Sequence, residues 1–391
     1  MRDKKKALLS AAGCSIAIFW SGFLAFGYPG IMSTYWQEEF NVGAAQTGSV
    51  VTFMLFAMAA SMFFCGRIHV KIGMRKCIIT GTVCIVLAMV MQFLIQNMTG
   101  AYIWGFITNV GLSFIYGPGL ATVQQWWPER RGAASALFNF VCGGSAAVMS
   151  PVWNNILESS GYTKTNTMLL ICVIITNIIA ALMVSEPPKA DTTARRGRDY
   201  TVREALGTKA FWIMWFIIMF VGAAGISMVP LSKNYAIAIG LSSVAVLTAF
   251  NVVNGVGRIL AGVMYELMGG EKTGIIIFTI TGVAFLVLPH TESMAVIMII
   301  AACAGMGFGT LFTIVSPMTS SIFGLKNFSM IFGLIFTAYG FISSLAGPTL
   351  SGYILDVTGG NYEIVFTYLA AFALTGAVLM FVLKNNCDKM N

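Results

Sequence analysis

Three polar side chains interrupt one apolar run, LTAFNVVNGVGRILAGVMY: Asn251, Asn254 and Arg258. Spaced three and four apart, they fall on one face of an α-helix. Two amides leading to a guanidinium make an arrangement suited to holding an anion. The guanidinium is planar and forked, and its N–H groups match a carboxylate bidentately. It cannot escape burial by losing its proton. At the centre of a bilayer such a side chain costs about 2.5–3.5 kcal/mol on insertion scales. It must therefore face a watery cavity, a partner or the membrane edge. Fixed partners are scarce, because all fifteen Asp and Glu lie in tails, loops or the ends of apolar runs. The missing counter-charge is best supplied by a bound substrate, which makes Arg258 the expected anion receptor. The competing reading is positional. If the helix ends near Gly262, Arg258 sits only about 6 Å from that end and can snorkel to the interface.

The solvent around this helix follows from composition. The chain of 391 residues is 57% hydrophobic and 10% charged, with a mean hydropathy of +0.82. Soluble domains carry about 25% charged residues. Apolar runs of about 20 residues, long enough to cross the hydrocarbon core as helices, recur along the chain. They do not alternate in polarity as the strands of a membrane β-barrel do. The expected fold class is an all-α polytopic membrane protein of twelve transmembrane helices. The spans fall at about 7–35, 46–66, 77–96, 101–125, 132–156, 166–185, 209–232, 240–264, 273–290, 293–322, 328–354 and 362–384. A polar segment, residues 186–208, divides the chain into two six-helix bundles, 1–185 and 209–391.

Charge orients the bundles. With both termini cytoplasmic, 20 of the 23 Lys and Arg fall on the cytoplasmic side. That is the asymmetry of the positive-inside rule, and it predicts a multi-pass protein of the plasma or inner membrane. The net charge of +8 then needs no nucleic-acid partner. The eight cysteines form no CxxC pair and no His cluster accompanies them, so neither metal nor cofactor is expected. No P-loop string is present, so the expected energy source is a gradient or an exchange.

The two halves echo one another. GRIHVKIGMRK at 66–76 is matched by GVMYELMGGEK at 262–272, and the SP of residues 150–151 by the GP of 347–348. Many secondary transporters are built from such repeats, with the site at their interface near mid-membrane. Twelve spans, a central loop and two glycine-and-charge loops resemble the major facilitator superfamily, whose loop pattern is roughly G-x-x-x-D-R-x-G-R-R. The first copy keeps Gly66, Lys71, Gly73 and Arg75 but has Val70 where the acid belongs; the second keeps Glu266 but has Leu267 where the base belongs. The resemblance implies that these loops are gates. A finer similarity lies in QQWWPERRGAASALFNFVCGG, NVVNGVGRILAG and FGLIFTAYGFISSLAGPTLSGYILDVTGGNY. These strings resemble the oxalate/formate antiporter and monocarboxylate transporter families, which move small organic carboxylates by proton symport or anion exchange.

Departures from those patterns narrow the expectation. Monocarboxylate transporters often place Asp four residues before the Arg, where Asn254 stands; oxalate carriers have TAKG where this chain reads TAYG, with Tyr339 in place of Lys. One buried cation rather than two favours a monoanion such as lactate, pyruvate, formate or acetate. Tyr339, Tyr116 and Tyr28 are candidate hydrogen-bonding walls of the cavity, with Phe336 and Phe312 as apolar ones. The expected function is secondary transport of a small monocarboxylate by proton symport with alternating access, in a monomer, without enzymatic chemistry. Exchange of carboxylate anions remains an alternative, as does a membrane sensor that binds its ligand without moving it. A carrier of amphipathic drugs would instead call for a membrane-embedded acid, and the sequence offers none.

Overall fold

The structure, a computed structural model, describes residues 2–187, 199–240 and 243–387. Part of the central loop, 188–198, lies outside the described residues. Among the described residues the regular structure is helical throughout: α1 (Arg2–Gly22), α2 (Tyr28–Phe40), α3 (Ala44–Leu94), α4 (Met98–Trp126), α5 (Arg131–Met183), α6 (Val202–Leu206), α7 (Lys209–Ala238), α8 (Ser243–Met268), α9 (Gly270–Val287), α10 (Met294–Phe323), α11 (Phe328–Thr337), α12 (Leu350–Thr358) and α13 (Tyr362–Cys387). Nine stretches among the described residues are long and apolar enough to span a membrane.

Two of the helices, α3 and α5, are each long enough to hold two of the expected spans. Each contains one glycine that leaves the helical conformation, Gly73 at φ 78° and Gly161 at φ 74°. That left-handed region is costly for any residue with a Cβ. At Gly73 the break is stabilised electrostatically. The new helix begins at Met74, whose N–H donates to the Glu186 carboxylate at 2.7 Å. Arg75 donates in the opposite sense, to the carbonyls of Ala181 at 2.9 Å and Val184 at 3.1 Å, where α5 ends. Acid at a helix start and base at a helix end both complement the helix dipole.

The chain forms two compact units. One comprises residues 1–129, 141–199 and 324–334; the other comprises 130–140, 200–323 and 335–391. In the first, α4 packs against α1 and α3. In the second, α8 packs on α10, and α13 packs on α7 and α9. The first turns of α5 belong to the second unit, and the first turns of α11 to the first. Each unit therefore includes a short segment from the other half of the sequence.

Candidate functional site

Helix α8 continues to Met268. Arg258 thus lies about 15 Å from the helix end at 1.5 Å per residue. The opposite face of α8 exposes Val252, Val256, Ile259, Leu260, Val263 and Leu267. Arg258 itself is only 4% exposed. What brings its helix close to α10 is glycine. A Cβ at Gly305 would fall 2.2 Å from the Phe250 carbonyl oxygen, and one at Gly309 would fall 2.5 Å from that of Asn254. Small residues at such a crossing let two backbones approach, the device that holds helices together in lipid.

At that crossing the guanidinium meets neutral groups. Nη1 donates to the main-chain carbonyl of Asn139 at 2.8 Å. Nη2 reaches the side-chain oxygen of Asn254 at a long 3.5 Å. Nε is buried without a partner. The Phe312 ring lies 5.8 Å from the guanidinium carbon, within cation–π range. Tyr339 stands edge-on to Phe312, with ring centroids 5.0 Å apart. Phe336 completes the group, 5.9 Å from Phe312 and 5.3 Å from Tyr339. The Tyr339 ring also lies against α7, where a Cβ at Gly222 would come within 3.0 Å of it. The Tyr339 hydroxyl takes no hydrogen bond from any described residue.

Tyr339 owes its position to an irregularity. Residues Ala338–Ser343 and Leu345–Thr349 are π-helical. Pro348 lacks the N–H that a regular helix would give to residue 344, and π turns of this kind concentrate at functional sites.

The second unit therefore brings together Arg258, Asn254, Phe312, Phe336 and Tyr339. Asn251, two turns before Arg258, is exposed. Tyr28 and Tyr116 lie in the first unit. Tyr28 is 2% exposed, and its hydroxyl donates to Asn166 Oδ1 at 2.7 Å with Gln92 Oε1 at 3.3 Å. Tyr116 is buried, with its ring centroid 6.3 Å from that of Phe332. Neighbouring polar groups on α4 are used locally: Ser61 donates to Ser113 at 2.8 Å, and Asn109 to the Gly105 carbonyl.

The loop residues occupy helix ends. The Glu266 carboxylate accepts from Ala133 N at 3.0 Å at the start of α5, while Arg131 donates to the Ser320 carbonyl near the end of α10. A Cβ at Gly66 would fall 2.6 Å from the Ser329 backbone. Lys71 is exposed. Two residues of the arginine site escaped the sequence reading. Phe308 lies one turn before Phe312, with centroids 5.2 Å apart. Asn139 is fully buried, and its signal was an isolated amide inside the apolar string ALFNFV.

A model of the Major Facilitator Superfamily matches residues 14–246 and again 226–386. The chain belongs to that superfamily. It is accordingly a multi-pass membrane protein of a transporter family and not an enzyme. Among curated proteins it is 23% identical over 347 residues to the oxalate:formate antiporter of Oxalobacter formigenes, covering 86% of this chain and 82% of that protein. It is 22% identical over 399 residues to monocarboxylate transporter 13 of Rattus norvegicus, covering 97% and 87%. The same fold is seen in the fucose:proton symporter of E. coli, with a TM-score of 0.71 at 15% identity over 97% of this chain and 99% of that one.

Proposed function

We propose that the protein is a secondary transporter of small organic anions, and that its substrate is a monocarboxylate bound by Arg258. The observation that carries this reading is a buried guanidinium whose hydrogen-bond partners are neutral oxygen atoms. An unneutralised charge in a medium of low dielectric is costly, and a carboxylate supplies the opposite charge with the right fork. Phe312, Phe336 and Phe308 give a short apolar chain its surface, and the Tyr339 hydroxyl gives a further polar contact. The names of the two relatives, one an oxalate:formate antiporter and the other a monocarboxylate transporter, support the same substrate class.

A single cation favours a monoanion such as lactate, pyruvate, formate or acetate over a dianion. Coupling is by proton symport with alternating access: no Asp or Glu lies mid-span, so the proton travels with the substrate. Orientation follows the basic loops, with both termini cytoplasmic in the plasma or inner membrane and the chain acting as a monomer. The test is counterflow of radiolabelled lactate, pyruvate, formate, acetate and oxalate in proteoliposomes. Saturable counterflow of the monoanions supports the reading; movement of none of the five refutes it.

A further inference from the structure

Exchange and net transport differ in one step. An exchanger crosses the membrane only when loaded, whereas a net transporter must also return empty. For a site built on a buried arginine the empty return is the hard step, because the departing anion leaves a bare charge behind. The surroundings of Arg258 bear on this step, and the argument rests on the carboxylate reading above.

The Asn139 carbonyl occupies Nη1 at 2.8 Å, a full-strength contact. The carbonyl is itself held in place. Asn139 Nδ2 donates to the Phe312 carbonyl at 3.3 Å on α10 and to the Ser135 carbonyl at 2.9 Å one turn back on α5. The residue that gives Arg258 its oxygen thus also fixes the stretch of α10 whose aromatic ring faces the guanidinium. Asn254 Oδ1 adds a second, longer contact from α8 itself. A carboxylate taking the Nη1–Nη2 fork draws on the same two nitrogens, so anion and carbonyl compete for the same charge.

We infer that the Asn139 main-chain carbonyl is a built-in stand-in for the substrate carboxylate. It compensates Arg258 while the site is empty, and so lets the unloaded carrier reorient and transport run as net movement. Asn139 is in these terms a positioning residue: it acts on the substrate only through Arg258. Its side chain matters because it pins that carbonyl against α10.

The experiment compares two rates in the same proteoliposomes at equal pH on both faces. Vesicles are loaded with radiolabelled lactate, pyruvate, formate or acetate. Efflux is then measured into buffer without carboxylate and into buffer containing the same carboxylate. The ratio of the two is independent of how many molecules are folded. Wild-type protein is expected to show efflux into empty buffer within about tenfold of exchange, since a partner at hydrogen-bond distance removes most of the penalty. Asn139→Leu unpins the carbonyl and should lower the ratio about tenfold or more, the size of one weakened charge-assisted hydrogen bond. Asn139→Asp adds a fixed counter-charge beside the site and should raise the ratio while weakening carboxylate binding. Exchange without measurable net efflux in the wild type overturns the inference and leaves the substrate assignment standing. An Asn139→Leu ratio equal to wild type also overturns it. Loss of counterflow for every carboxylate fails the substrate assignment instead, and the inference with it.

Discussion

Replacing Arg258 by lysine keeps the charge and removes the fork. The guanidinium now makes a 2.8 Å bond to the Asn139 carbonyl and stands 5.8 Å from the Phe312 ring centroid. An ammonium has three donors, but on a single nitrogen, so it cannot present two parallel donors to a carboxylate. The lost second charge-assisted bond is worth about 1.5–3 kcal/mol, and the poorer contact with the aromatic face about 0.5–1 kcal/mol. Together these amount to about 2–4 kcal/mol, or about 30- to 1000-fold in kcat/KM at about 1.4 kcal/mol per decade. Folding should survive, because the substitution leaves the buried charge count unchanged. The assay is counterflow of lactate alongside carboxylate-dependent thermal stabilisation of the purified protein. Arg258→Lys is expected to retain the wild-type melting temperature without carboxylate and to lose the stabilisation by carboxylate. Transport within about threefold of wild type would mean that two parallel donors are not used, and the receptor assignment would fall.

Other perturbations act on the surroundings of the same guanidinium. Gly309→Ala puts a methyl group 2.5 Å from the Asn254 carbonyl and 3.2 Å from Arg258 Cγ; overpacking of about 1–3 kcal/mol should exceed the gain of up to about 1 kcal/mol in helix propensity, lowering the melting temperature and raising KM, whereas a more stable variant with unchanged KM would show that α8 and α10 are free to part. Tyr339→Lys adds a second cation at the position where oxalate carriers have one, and competition assays should show affinity moving from lactate toward oxalate; an unchanged preference would place residue 339 away from the substrate. An inward proton gradient should drive lactate accumulation in vesicles holding no anion, so that uptake rises as external pH falls; strict dependence on a preloaded anion, indifferent to the gradient, would refute symport. Asn254→Asp puts an acid four residues before the cation and should steepen that pH dependence, and an identical profile would argue that residue 254 is remote from the proton path.

How much of this was legible depends on which physics each feature obeys. The membrane solvent and helical class follow from bulk hydropathy, which averages over many residues and is hard to mistake. The α8 stripe was legible for a similar reason: a period of 3.6 holds along an uninterrupted helix, so Asn254 and Arg258 had to share a face. Asn251 shows the limit of that logic, since it shares the helix face and is exposed. Tyr339 is marked by its chemistry and its place in TAYG, but its surroundings depend on a π-helical stretch, where the 3.6 period fails. Tyr28 has similar chemistry, but its hydroxyl is engaged by Asn166 and Gln92, residues 138 and 64 positions away in sequence. Only the packed fold brings such partners to it.

Asn139 was harder to see than any of these because its contribution is a main-chain atom. Every residue has a carbonyl, so no residue type announces one in service as a ligand. Within a helix a carbonyl normally accepts from the N–H four residues on, and its second lone pair is what remains for an outside donor. What makes this one special is where α5 runs, and that is set by contacts such as the Glu266 carboxylate at Ala133 N, two turns before it. The acid of the second loop and the arginine of the site thus meet the same short stretch of α5, one at its first turn and one about 9 Å along it at 1.5 Å per residue. A displacement of this segment must alter both contacts together. Arg258 therefore takes part in anchoring α5 as well as in the proposed binding of the anion.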